Sequence, residues 1–93
     1  MQFEWSKSKD LSNQRKHGVP FVEAKTIFFD STTMVTHDPD HSESEDRFLA
    51  IGYSSLHHLL LVVHCYRHEP EVLRIISARK ATRAERRQFE EGL

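Results

Sequence analysis

Ninety-three residues with 38% hydrophobic and 29% charged side chains make one soluble-type globular domain, residues 1–93, with no low-complexity tract to suggest disorder. A formal net charge of −1 and a single cysteine, Cys65, exclude an internal disulfide and a uniformly basic nucleic-acid binder. The longest apolar run, Leu59–Val63, is far too short to cross a bilayer, and Met1–Trp5 lacks the basic and apolar regions of a secretory signal, so a cytoplasmic protein with no membrane partner is expected.

Phe3-Glu4-Trp5 alternates and reads as a short strand or an anchored terminus. Ser6 can cap a polar helix over Lys7–His17, which Gly18 is placed to end in the left-handed conformation. Pro20 suits a first helical residue, and Phe21, Ala24 and Phe28 recur at helical spacing in a second helix reaching Phe29. Thr33–His37 is β-prone, a polar loop covers Asp38–Asp46, and Arg47–Ile51 reads as a strand ending at Gly52. After a turn through Tyr53–His58, Leu59–Arg67 is a nearly continuous apolar strand suited to the sheet centre. His68–Glu71 is a tight connection, so Val72–Arg79 should pair with it antiparallel. Thr82 followed by Glu85 has capping-box form and opens a last helix, Arg83 to Glu91. The expected architecture is α+β: two N-terminal helices on a mainly antiparallel four-stranded sheet, with a C-terminal helix.

Charge is unevenly spread. Residues 30–46 hold six acids and no Lys or Arg, whereas Arg74–Arg87 holds six Lys/Arg and one acid, Glu85. The basic end suits phosphate, because the guanidinium fork matches phosphate oxygens.

Three groups of segments stand out: Phe3-Glu4-Trp5, Lys9, Asn13, Lys16-His17-Gly18-Val19, Phe21 and Glu23-Ala24; then Asp40-His41-Ser42-Glu43, Glu45, Arg47, Ile51-Gly52 and Ser54; then Arg74-Ile75-Ile76-Ser77-Ala78-Arg79, Ala81-Thr82 and Glu85-Arg86. Together they resemble the BrnT toxin family. Ser6-Lys7 stands where Asp-Pro is frequent in the family, and serine caps a helix about as well. The resemblance implies a RelE-like fold and an endoribonuclease toxin of a type II toxin–antitoxin pair, which cuts RNA without a metal or cofactor to inhibit translation. It implies neutralisation by a BrnA-type ribbon-helix-helix antitoxin, and contact with DNA only through that complex. The rival readings are a catalytically inactive RelE-like module that binds RNA or a partner, and a small metal-dependent hydrolase.

Metal-free RNA cleavage needs a base for the 2′-hydroxyl, cations over the phosphate, and an acid for the leaving oxygen. Arg79, just past the last strand's apolar run, and Arg67, ending the central strand, are candidate catalytic cations, although they sit at different ends of the hairpin. Arg74, between apolar residues, requires a carboxylate or a phosphate and is a structural ion pair or a site residue. His17 is an acid/base candidate or a helix-end cap. Lys9 and Lys16, two turns apart, share a face that guides RNA or is merely solvated. Tyr66 stacks on a base or packs in the core with His64, Arg47 meets phosphate or its neighbours Glu45-Asp46, and Arg83 faces RNA, the antitoxin or solvent. The contiguous His37–His41 stretch carries metal-ligand types, but without a second cluster it is read as a loop.

Overall fold

In a computed structural model the elements run β1 (Gln2–Glu4), α1 (Lys7–His17), α2 (Phe21–Ala24), a 3-10 helix (Lys25–Phe29), β2 (Met34–His37), β3 (Phe48–Tyr53), β4 (Leu59–Arg67), β5 (Val72–Lys80) and α3 (Arg83–Glu91). The structure describes residues 1–38, 46–67 and 71–92. Family-type residues Asp40–Glu43 and Glu45, part of the His37–His41 stretch and most of the His68–Glu71 connection therefore lie outside the described residues.

The sheet has five strands in the order β1-β5-β4-β3-β2, with β4 at its centre. This corrects the expected four-stranded antiparallel sheet: β1 is a true strand and pairs parallel to β5, Gln2 with Val72 through Glu4 with Arg74, making the sheet mixed. The reason lies in its side chains. Phe3 rings lie against Phe28 and Phe29, Trp5 packs edge-on to Phe21, and Glu4 bonds Arg74 at 2.9 Å. A three-residue terminus thereby gains enough contacts to hold its backbone in register.

The second helix also differs from expectation. Only Phe21–Ala24 is α-helical, and Lys25–Phe29 tightens into 3-10 geometry. Two β-branched or aromatic pairs, Thr26-Ile27 and Phe28-Phe29, crowd that turn, and Thr26 Oγ1 bonds back to the Glu23 carbonyl at 2.7 Å. Ile27 and Phe28 still reach the core side.

Helix ends follow the sequence. Ser6 accepts from Lys9 N, and Gly18 closes α1 at φ +73° with its amide on the Gln14 carbonyl. Thr82 and Glu85 form the full capping box of α3. One sheet face packs on α2 and the 3-10 helix through Phe21, Ala24, Ile27, Ala50, Leu60, Val62, Leu73, Ile75 and Ala78, all buried. Each large apolar side chain buried there contributes about 1.5–3 kcal/mol. The opposite face is covered at one end by α3, where Phe89 is buried and meets Tyr53 edge-on. Gly52 is required on the core-side face, because a Cβ there would clash with Thr33 Oγ1, which is held on the Ile27 carbonyl.

The β3–β4 turn is pinned to α2 by a knot the sequence did not announce. The buried Glu23 carboxylate accepts from Ser54 Oγ at 2.6 Å and lies 2.7 Å from His58 Nδ1. Ser54 Oγ in turn accepts from the amides of Leu56 and His58. These two partners, Ser54 and His58, satisfy a carboxylate that would otherwise be costly to bury.

Candidate nucleic-acid interface

Alternation alone would place Arg74 and Arg79 on opposite faces, since they are an odd number of residues apart. A β-bulge changes this. Val63 pairs with Ser77 but His64 pairs with Ile75, leaving Ile76 as the extra residue on β5. Arg74 then faces Cys65, Ser77 faces Val63, and Arg79 faces Leu61. All three share the sheet face away from the α2 core. The two arginines flank Ser77, each about 7 Å along the strand.

α1 lies against the same stretch of β5. Its buried Asn13 replaces a sixth strand there: Nδ2 donates to the carbonyls of Ala78 and Val19, both at 2.8 Å, and Oδ1 accepts from Ala78 N at 3.1 Å. β1 covers β5 only as far as Arg74, so this amide satisfies the strand edge that β1 leaves open. Lys9, Asn13 and Lys16 follow one another at i, i+4 and i+7, so fixing Asn13 turns both lysines toward the bulge. The result is a cleft of about 240 Å³ lined by Lys9, Ser12, Asn13, Lys16, His17, Ile76 and Ser77.

Cations in this region differ in availability. Arg79 donates twice to Glu85, at 2.8 and 2.9 Å, and that bond, more than any other cause, holds the Glu85 carboxyl down to about 2 while raising Arg79. Arg74 donates to Glu4. Lys9, Lys16 and His17 are exposed, and no carboxylate pairs with them among the described residues. Gly18 closes α1 with its own amide, and the His17 ring makes no hydrogen bond to the helix carbonyls among the described residues.

The other sequence candidates are placed apart. Arg67, exposed, pairs with Val72 at the far end of β4. Arg47 is half-buried ahead of β3. Arg83 lies on α3 beside Arg86 and Arg87. Tyr66 is on the core-side face, 5.5 Å between centroids from both Phe48 and His64, on the opposite side of the sheet from Arg74 and Arg79. His64 is fully buried among Phe28, Phe48 and Tyr66, and neither ring nitrogen has a hydrogen-bond partner among the described residues. Burial pushes its pKa down to about 4, so the ring is neutral near pH 7. Among the described residues no three His, Cys, Asp or Glu converge as metal ligands, and no helix is long and apolar enough to cross a membrane.

A family model described as the ribonuclease toxin BrnT of type II toxin–antitoxin systems matches residues 5–85, a span that contains α1, the bulge, both arginines and the α3 cap. The chain belongs to the BrnT family. Among solved structures, the BrnT ribonuclease toxin of Brucella abortus matches at 24% identity with a TM-score of 0.66, covering 89% of this chain and 99% of that one. At this identity the likeness shows a shared fold. No curated protein sequence matches the chain. In this BrnT-family chain, Asn13 seals a strand edge, Gly52 permits a close approach, Ser54 ties the turn knot and Glu85 completes a helix cap.

Proposed function

We propose that this BrnT-family toxin cuts RNA without a metal, at the cleft between α1 and β5, and so inhibits translation in the cytoplasm. The observation that carries the reading is the convergence of Lys9, Lys16 and His17 on the bulged strand, with Arg74 and Arg79 on either side of Ser77. In the reaction the 2′-hydroxyl oxygen bonds to the adjacent phosphorus and the 5′-oxygen leaves, giving a 2′,3′-cyclic phosphate and a 5′-hydroxyl. One proton leaves the 2′-oxygen and one reaches the 5′-oxygen. His17, exposed and without a hydrogen bond among the described residues, is the side chain placed to exchange these protons. Lys9 and Lys16 neutralise the charge that builds on the phosphate.

Arg79 and Arg74 serve the same phosphate backbone only by exchange, since an incoming phosphate takes the place of Glu85 or Glu4 on the guanidinium fork. Arg67, Arg47, Arg83 and Tyr66 lie outside the cleft and act on flanking nucleotides. Neutralisation falls to a BrnA-type ribbon-helix-helix antitoxin, through which alone the complex meets DNA.

A second reading, a module that grips RNA without cutting it, is favoured by one observation: both arginines nearest the cleft are already held by carboxylates. RNA incubated with the purified chain in excess EDTA separates the readings. Cutting that persists, and falls at least tenfold in His17→Ala and in Arg79→Ala, supports the proposal. Cutting that needs an added divalent metal contradicts it, and binding without cutting under any condition favours the second reading.

A further inference from the structure

β2 closes the sheet on the side opposite α1, and its outer edge meets no other strand among the described residues. All four of its residues are exposed, including Met34 at 44% and Val35 at 47%. Exposed edges are normally blunted with Lys, Pro, a bulge or a cover, because unpaired amides and carbonyls template another chain. Met34-Val35-Thr36-His37 contains no Lys, Arg or Pro, and its register with β3 runs without a bulge.

Hydrogen-bond direction follows from the flanking pair. Asp38 N donates inward to the Arg47 carbonyl at 2.8 Å. Alternation then turns the Thr36 and Met34 amides inward to β3, and the Val35 amide and carbonyl outward to the open edge. Met34 and Thr36 also line an apolar groove of about 240 Å³ with Leu49, Ile51, Leu61 and Phe89. A strand added outside β2 would continue the floor of that groove.

Charge selects the occupant. Residues 30–46 carry six acids and no Lys or Arg, and of these Asp30, Asp38 and Asp46 are described at or just beyond the two ends of β2 and the start of β3. Nucleic acid is repelled by such a border. A second copy of the chain, paired antiparallel about a two-fold, would bring the acids at one end of β2 toward the acids at the other end of its mate. A segment carrying Lys and Arg gains on both counts.

We propose that the open edge of β2 receives an extended segment of a protein partner, with apolar residues alternating with Lys and Arg, as a sixth strand of the sheet. In a toxin–antitoxin protein this is a surface for the antitoxin, on the side of the sheet away from the RNA cleft. The inference uses family membership and does not depend on how RNA is cut.

The test uses the whole chain and a labelled synthetic ten-residue peptide in which Val or Ile alternates with Lys or Arg, alongside a version with Glu and Asp in place of the cations. Amide exchange and fluorescence anisotropy are the readouts. Expected are saturable binding of the basic peptide, slowed exchange at Val35, at least tenfold weaker binding of the acidic version, and at least tenfold weaker binding to Val35→Lys. Val35→Pro, which removes the outward amide without adding a charge, should weaken binding in the same way. RNA cutting by either variant should match the unaltered chain, which keeps failure here distinct from failure of the cleavage reading. Equal binding of both peptides, protection elsewhere than β2, or unaltered binding to both variants overturns the proposal. A dimer of the chain alone that Val35→Lys converts to monomer would also overturn it, by giving the edge to a second copy.

Discussion

Acid should loosen this protein through one residue. His64 is fully buried, its imidazole nitrogens make no hydrogen bond among the described residues, and burial lowers its pKa from the ordinary 6.5 to about 4. The sign follows from linkage: between those values the unfolded chain binds a proton that the folded chain refuses, so stability is complete above about pH 6.5 and falls as pH drops toward 4. The full gap corresponds to roughly 3 kcal/mol, and about 2 kcal/mol should be gone by pH 5, a large share of the stability of so small a domain. Replacing His64 with Leu removes the titrating group and two unsatisfied nitrogens while keeping an apolar side chain against Phe28 and Phe48. Urea denaturation at pH 7 and pH 5 measures the effect in both proteins. The unaltered chain should lose about 2 kcal/mol more than His64→Leu over that interval. Equal losses would refute the assignment of His64 as a buried neutral imidazole.

Three further substitutions probe the fold and the cleft. Asn13→Ala removes three buried hydrogen bonds and strands the Ala78 amide, so stability should fall by about 2–4 kcal/mol in denaturant titration, and RNA cutting should fall even where the variant remains folded. Gly52→Ala forces a methyl into Thr33 and should cost about 1–3 kcal/mol, while Thr33→Ala combined with it, by removing the clashing Oγ1, should recover part of the loss. Glu85→Gln weakens both the α3 cap and the hold on Arg79: thermal stability should drop by about 1 kcal/mol, while affinity for an uncuttable RNA should rise in low salt as the guanidinium becomes available to phosphate. Unchanged or weaker RNA affinity in Glu85→Gln would mean that phosphate does not use Arg79.

Local signals carried most of the fold. Ser6, Gly18, Thr82 and Glu85 marked helix ends by chemistry that acts within four residues, and the structure keeps each role. The apolar run Leu59–Val63 identified the central strand because only a strand covered on both faces needs unbroken hydrophobicity. What escaped was non-local. The parallel pairing of β1 depends on Glu4 meeting Arg74, and the knot of Glu23, Ser54 and His58 joins residues far apart in the chain. The bulge at Ile76 is invisible to alternation, yet it decides that Arg74 and Arg79 share a face. For the candidate site, the sequence offers residue types alone: Lys9, Lys16, His17, Arg67, Arg74 and Arg79 stand out alike, and nothing local shows that Arg67 lies at the far end of β4. Their partners were not legible, so the sequence could not separate the arginines held by carboxylates from the lysines left open.

The cleavage proposed for the cleft of lysines and a histidine uses the RNA's own 2′-hydroxyl as the nucleophile. The most direct measurement is the chemistry of the fragment ends left when the purified chain acts on a short RNA in excess EDTA. Expected are fragments ending in 2′,3′-cyclic phosphate and beginning with 5′-hydroxyl, and no cutting of the all-deoxy strand of the same sequence. Fragments with 3′-hydroxyl and 5′-phosphate ends, or equal cutting of the deoxy strand, would show water as the nucleophile and contradict it.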